Sequence, residues 1–80
     1  MHPITTPKQI GATLTARRKH LKLSQSEVAT RLGLSQNRLS ELESNPETLT
    51  VAQLLALLNV LGLCMTIDLA SGGPQKKVEW

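Results

Sequence analysis

Leu23-Ser24-Gln25-Ser26-Glu27-Val28-Ala29-Thr30-Arg31-Leu32-Gly33-Leu34-Ser35-Gln36-Asn37-Arg38-Leu39-Ser40-Glu41-Leu42 is the stretch that decides the fold. Ser24 and Glu27 form a capping box, in which each satisfies a backbone N–H that the first turn leaves open. The box opens a short helix with Val28, Ala29 and Leu32 facing inward. Gly33 ends it, because the left-handed position after a helix costs glycine least. Leu34 and Ser35 complete a three-residue turn, and Ser35 caps a second helix whose apolar pair is Leu39 and Leu42. Ala29 is small where the two helices would cross. Two short helices joined by a glycine-containing turn are the helix-turn-helix signature. A generic antiparallel pair would share the apolar spacing, but not the small residue, the turn glycine and the short turn together.

Upstream, Thr6-Pro7-Lys8-Gln9 is another capping box, with Pro at the first helical position, where its missing N–H costs nothing. Ile10, Leu14, Arg17 and Leu21 fall on one stripe of the helix that follows, and Ala12 and Ala16 favour it. Arg17, Arg18, Lys19 and His20 suit its negative end. Downstream, Asn45-Pro46 stops the third helix, since the residue before Pro avoids the helical region. Thr50-Val51-Ala52-Gln53 is a third box. It leads Leu54, Leu55, Leu57, Leu58 and Leu61, apolar over so much of the circumference that this helix is expected at the centre of the core. Past Gly62 the period changes to two: Leu63, Met65, Ile67 and Leu69 alternate with Cys64, Thr66 and Asp68. That pattern predicts one half-buried strand without a partner in its own chain, whose open backbone groups seek one in a second copy. Residues 71–80 read as a flexible tail ending in Trp80, the only aromatic residue. The sequence contains no internal repeat.

Eighty residues, 40% of them hydrophobic, make one domain with a small core. A chain this short buries only ~60% of its unfolded surface, so oligomerisation is an expected source of stability. One cysteine, Cys64, excludes an intrachain disulfide and fits a reducing cytoplasm. Met1–Lys8 lacks the apolar run of a signal peptide, and Val51–Met65, broken by Gln53 and Asn59, is too short to span a bilayer. The expected localisation is therefore cytoplasmic. Net charge is +3, but seven of the nine Lys and Arg residues lie in residues 1–40 and five of the six acids in 41–80. The basic half is a candidate for phosphate contact. His2 and His20 are not spaced as metal ligands, and His20 suits a helix end. Cys64 has no base beside it and reads as a free structural thiol. No phosphate loop, paired-acid pocket or Ser-His-Asp arrangement is legible. No cofactor, metal site or catalytic residue is expected, and the chain is not expected to be an enzyme.

Residues 7–62 resemble the Xre/Cro-type helix-turn-helix family, most tellingly at Leu23–Ala29 and Gly33–Gln36. Within that family the sequence resembles HipB-type antitoxins, on Ser24-Gln25-Ser26-Glu27, Asn45-Pro46, the Leu63–Leu69 strand with Met65-Thr66, and the final Glu79-Trp80. The resemblance implies a dimeric repressor that partners a HipA-type Ser/Thr kinase toxin and represses their shared operon. The fold expected is all-α, a lambda-repressor-like helix-turn-helix domain of four to five helices over residues 1–70. One C-terminal strand (Leu63, Met65, Ile67, Leu69) pairs across a dimer, and a tail follows over 71–80. A stand-alone Xre-type regulator without a toxin is one alternative. A protein-interaction module whose DNA binding is incidental is another.

Geometry selects the residues that would meet DNA. With Leu39 and Leu42 inward, Asn37, Ser40, Glu41 and Ser44 point roughly the other way, flanked by Gln36 and Arg38. The amino-terminal residues of a recognition helix approach base edges, so Gln36, Asn37 and Ser40 are the expected base readers. Gln and Asn can pair bidentately with adenine. Arg38 would reach guanine or a phosphate. Ser24, Gln25, Ser35 and the amides at both helix starts suit phosphate, as do Arg17 and Arg18. Glu41 does not suit a surface facing phosphates, and a partner such as Lys22 or Arg38 would explain it as well as a cytosine would. Trp80, an indole on a tail with no core to join, reads as an anchor for a partner's pocket or as part of an inert tail; the resemblance to HipB-type antitoxins, through the terminal Glu79-Trp80, implies an anchor for the toxin.

Overall fold

A computed structural model describes residues 3–69. His2, the domain boundary at residue 70, the tail and Trp80 lie outside the described residues. Among the described residues four α-helices run in order: α1 (Pro7–His20), α2 (Gln25–Leu32), α3 (Gln36–Ser44) and α4 (Val51–Val60), with a 3-10 turn over Pro46–Thr48 between the last two. Each α-helix starts on the residue its cap predicts. Thr6, Ser24, Ser35 and Thr50 accept from the backbone N–H three residues on, and Gln9, Glu27 and Gln53 return the bond to the cap. Such a cap contributes ~1 kcal/mol. Hydrogen bonds from the Ser24 backbone N–H and hydroxyl hold the Glu27 carboxyl below the usual carboxylate range, and Arg31 adds to the effect. A lowered carboxyl stabilises the fold above its ordinary range, and that contribution is lost as pH falls through the lowered value.

Gly33 caps α2 at φ 71° and Gly62 follows α4 at φ 71°. After α1 the same left-handed position is filled by Lys22 at φ 59°. The backbone there closes as it would around glycine, with Lys22 N–H donating to the Lys19 carbonyl and Leu23 N–H to that of Arg18. Leu21, expected on the apolar stripe, is instead the α1 cap and is exposed.

The core is Leu14, Val28, Ala29, Leu39, Leu57 and Leu61, with Leu42 also fully buried. Packing pairs α2 with α3, α1 with α3 and the 3-10 turn, and α4 with α2. The buried stripe of α1 is Gly11, Leu14 and Arg18, so Arg18, not Arg17, lies innermost. Only Leu57 of α4 is buried, while Val51 and Leu55 are exposed. Leu54, Leu58 and Val60 also pack against the core, so the helix buries one apolar face and leaves Val51 and Leu55 open. No helix among the described residues is long and apolar enough to cross a membrane.

Among the described residues there is no strand. Residues 63–69 carry no ladder, because every strand needs a partner and the helices offer none. Leu63 packs on the core, but Met65, Ile67 and Leu69 are 43%, 92% and 76% exposed.

Candidate nucleic-acid interface

Side-chain position on α3 follows from what Leu39 and Leu42 bury. Gln36, Asn37, Glu41 and Ser44 are exposed, and Arg38 and Ser40 are half-buried beside them. The four residues expected to read bases, Gln36, Asn37, Ser40 and Arg38, therefore lie along one accessible side. Arg38 pairs with Glu41 at 2.6 Å, which gives that acid the partner expected of it. The pair is one helical turn long and more than a third exposed. A surface pair of this kind is worth about 0–1 kcal/mol and can exchange for a stronger partner.

The first residues of α2 and α3 meet. Gln36 Nε2 donates to Gln25 Oε1 at 2.6 Å, which draws together two helix starts that are capped by the exposed Ser24 and Ser35. Both serine oxygens already accept a backbone N–H; the Ser24 hydroxyl proton is directed at Glu27, whereas Ser35 keeps its own for a phosphate. Gln25 is half-buried, and its Nε2 donates to Glu43 Oε1 at 2.9 Å.

Arg17 and Arg18, the arginines expected at phosphate, both make bonds inside the fold. Arg18 is buried in a bidentate pair with Glu43, its Nε donating to Oε2 at 2.7 Å and Nη2 to Oε1 at 3.2 Å. Its Nη1 donates to the Leu23 carbonyl at 3.0 Å. The guanidinium therefore ties α1, the α1–α2 turn and α3 together. Arg17 is half-buried, and its Nε donates to the Leu61 carbonyl at 2.9 Å, capping the end of α4. Arg18 thus has internal partners for all three guanidinium nitrogens, whereas Arg17 is bonded through Nε alone.

Sequence reasoning missed Glu43, which counted only as an acid in the carboxyl-terminal half. It follows Gln36 by seven residues, two helical turns, and therefore lies on the same flank. It also missed Gly11. An added Cβ there would stand 2.5 Å from the Glu43 carbonyl oxygen and 3.0 Å from the Pro46 ring, so only hydrogen fits where α1 crosses the end of α3. His20 and Cys64 are exposed, and among the described residues no group of His, Cys, Asp or Glu could hold a metal ion.

Residues 14–64 match the family model described as helix-turn-helix, a span that contains α2, the turn and α3 whole. The chain is similar to Antitoxin HipB of Escherichia coli K12, 30% identical over 96% of this chain and 93% of that protein. It is also similar to Antitoxin HipB of Escherichia coli O6:H1, 29% identical over 96% of this chain and 87% of the other.

Proposed function

Because the chain belongs to the helix-turn-helix family, in its HipB-type branch, we propose that it is a dimeric, sequence-specific transcriptional repressor and antitoxin. It binds a HipA-type Ser/Thr kinase toxin and represses the operon that encodes both. The observation that carries the reading is the exposed side of α3, where Gln36 and Asn37 stand beside two converging helix starts. On this reading Gln36, Asn37, Ser40 and Arg38 meet base edges in the major groove, and Ser24, Gln25 and Ser35 take phosphates. The protein does no chemistry of its own and needs no cofactor. It works in the cytoplasm, where its DNA is.

Dimerisation rests on apolar surface that one copy leaves open. Val51, Leu55, Met65, Ile67 and Leu69 are all exposed, and a two-fold pairing of residues 63–69 with the same segment of a second copy would cover both. Such a dimer reads a palindrome with half-sites about one helical turn, ~34 Å, apart or a multiple of it. Ile67→Pro removes a ladder donor. It is expected to convert the dimer to monomer in sedimentation while the helical signal survives; an unchanged dimer mass would reject the pairing.

Trp80, outside the described residues, is the anchor we assign to the toxin. Isolation of the native protein from its host at low salt, with identification of what accompanies it, tests the whole reading. A Ser/Thr kinase together with the gene's own upstream DNA is the expected result. DNA without a kinase would leave a stand-alone regulator, and a kinase without specific DNA would leave an interaction module.

A further inference from the structure

We propose that Glu43, buried away from any DNA, fixes which way round the Gln36 amide faces a base and so sets the choice of adenine over guanine there. The proposal rests on the reading of Gln36 as a base reader. Its premise is that a side-chain amide has two unlike ends, a carbonyl that only accepts and an NH2 that only donates, and its neighbours decide which end points where. A carboxylate only accepts. Glu43 Oε1 lies 2.9 Å from the Gln25 amide, so the end that Gln25 turns toward it must be Nε2. Gln25 is then left with Oε1 toward α3, and that oxygen, 2.6 Å away, demands the NH2 end of Gln36. Polarity passes along the chain Glu43, Gln25, Gln36 with no free choice at either step.

The base meets what remains. Gln36 keeps Oε1 and the second Nε2 hydrogen, one acceptor beside one donor. That pair matches the donor N6 and acceptor N7 of adenine. The reversed amide would keep both hydrogens for the base and match the two acceptors of guanine, O6 and N7. Reversal requires Gln25 to turn its own carbonyl onto the Glu43 carboxylate, setting two acceptors face to face. Arg18 holds that carboxylate in place from its other side through Nε and Nη2, so Glu43 cannot rotate to relieve the conflict. Glu43 is thus a positioning residue for specificity, acting through Gln25.

Glu43→Gln removes the constraint, since a glutamine there can present either end. The measurement is the affinity of the full chain for a duplex of the gene's own upstream region and for a series in which each A·T pair in turn becomes G·C. The pair that Gln36 reads is the one where Gln36→Ala erases the preference. Wild type is expected to prefer A·T there by about tenfold or more. Glu43→Gln should bring that ratio to within about threefold, with the ratios at other positions unchanged. Gln25→Leu, which leaves the Arg18–Glu43 pair whole, should relax the same single position and decides the matter if Glu43→Gln does not fold. A wild-type ratio retained in folded Glu43→Gln, or in Gln25→Leu, overturns the proposal. If Gln36→Ala erases no preference at any position, the base-reading role of Gln36 itself falls, and this proposal with it.

Discussion

Arg18→Met is expected to destabilise the domain by about 3–5 kcal/mol, the cost of removing one partner from a buried ion pair. Small domains have ~5–15 kcal/mol in total, so the variant should lose a large share of its stability. The physical cause is the group left behind. The Glu43 carboxylate is 8% exposed, and without the guanidinium it keeps only the Gln25 amide as a partner. The Leu23 carbonyl loses its donor in the same step. Arg18→Met combined with Glu43→Leu should recover most of the loss, because a buried pair replaced by apolar groups of similar size is often neutral or better. Urea unfolding of the single and double variants measures both. A loss below about 1 kcal/mol for the single variant would mean that water already reaches the pair.

Gly11→Ala is expected to destabilise by roughly 1–3 kcal/mol, the range for forcing extra volume into a packed site. Helix propensity alone predicts the opposite, a gain of ~1 kcal/mol for alanine over glycine inside α1. Contact decides the sign. The new methyl would stand 2.5 Å from a backbone oxygen, that of Glu43, which no side-chain rotation can move. The Pro46 ring at 3.0 Å closes the other side. Relief requires α1 to shift away from α3, and that shift pulls on the Arg18–Glu43 bonds about two helical turns further along. Thermal unfolding of the single variant checks the sign, and a raised melting temperature would show that the two helices have room to part.

Both effects lie at the α1–α3 crossing, the part of the fold least legible in the sequence. Helix starts were plain because a cap is a local device: Thr6, Ser24, Ser35 and Thr50 each bond within their own first turn. The glycine turns were plain for the same reason. The inner faces of α2 and α3 followed from apolar spacing, and with them the exposed side of α3. Arg18 was harder, because a charged residue reads as surface until its partner is known, and Glu43 is 25 residues away. Glycine at position 11 carries no sign of the carbonyl it meets. For α4, apolar residues on both faces signalled burial, yet one face lies open. The alternating pattern over 63–69 is local too, but pairing is not, and no strand is present among the described residues.

If the exposed side of α3 reads bases, substitutions there change affinity at particular base pairs. Affinities of wild type, Gln36→Ala and Asn37→Ala for the upstream palindrome and its single-base variants, each over a range of salt, test it most directly. Each alanine is expected to cost on the order of 1–3 kcal/mol on the palindrome. Its preference should vanish at particular base pairs, while the slope of log affinity against log salt stays as in wild type, since no phosphate contact is removed. Equal losses on every sequence, or a shallower salt slope with base preferences intact, would contradict the claim and assign these residues to the phosphate backbone.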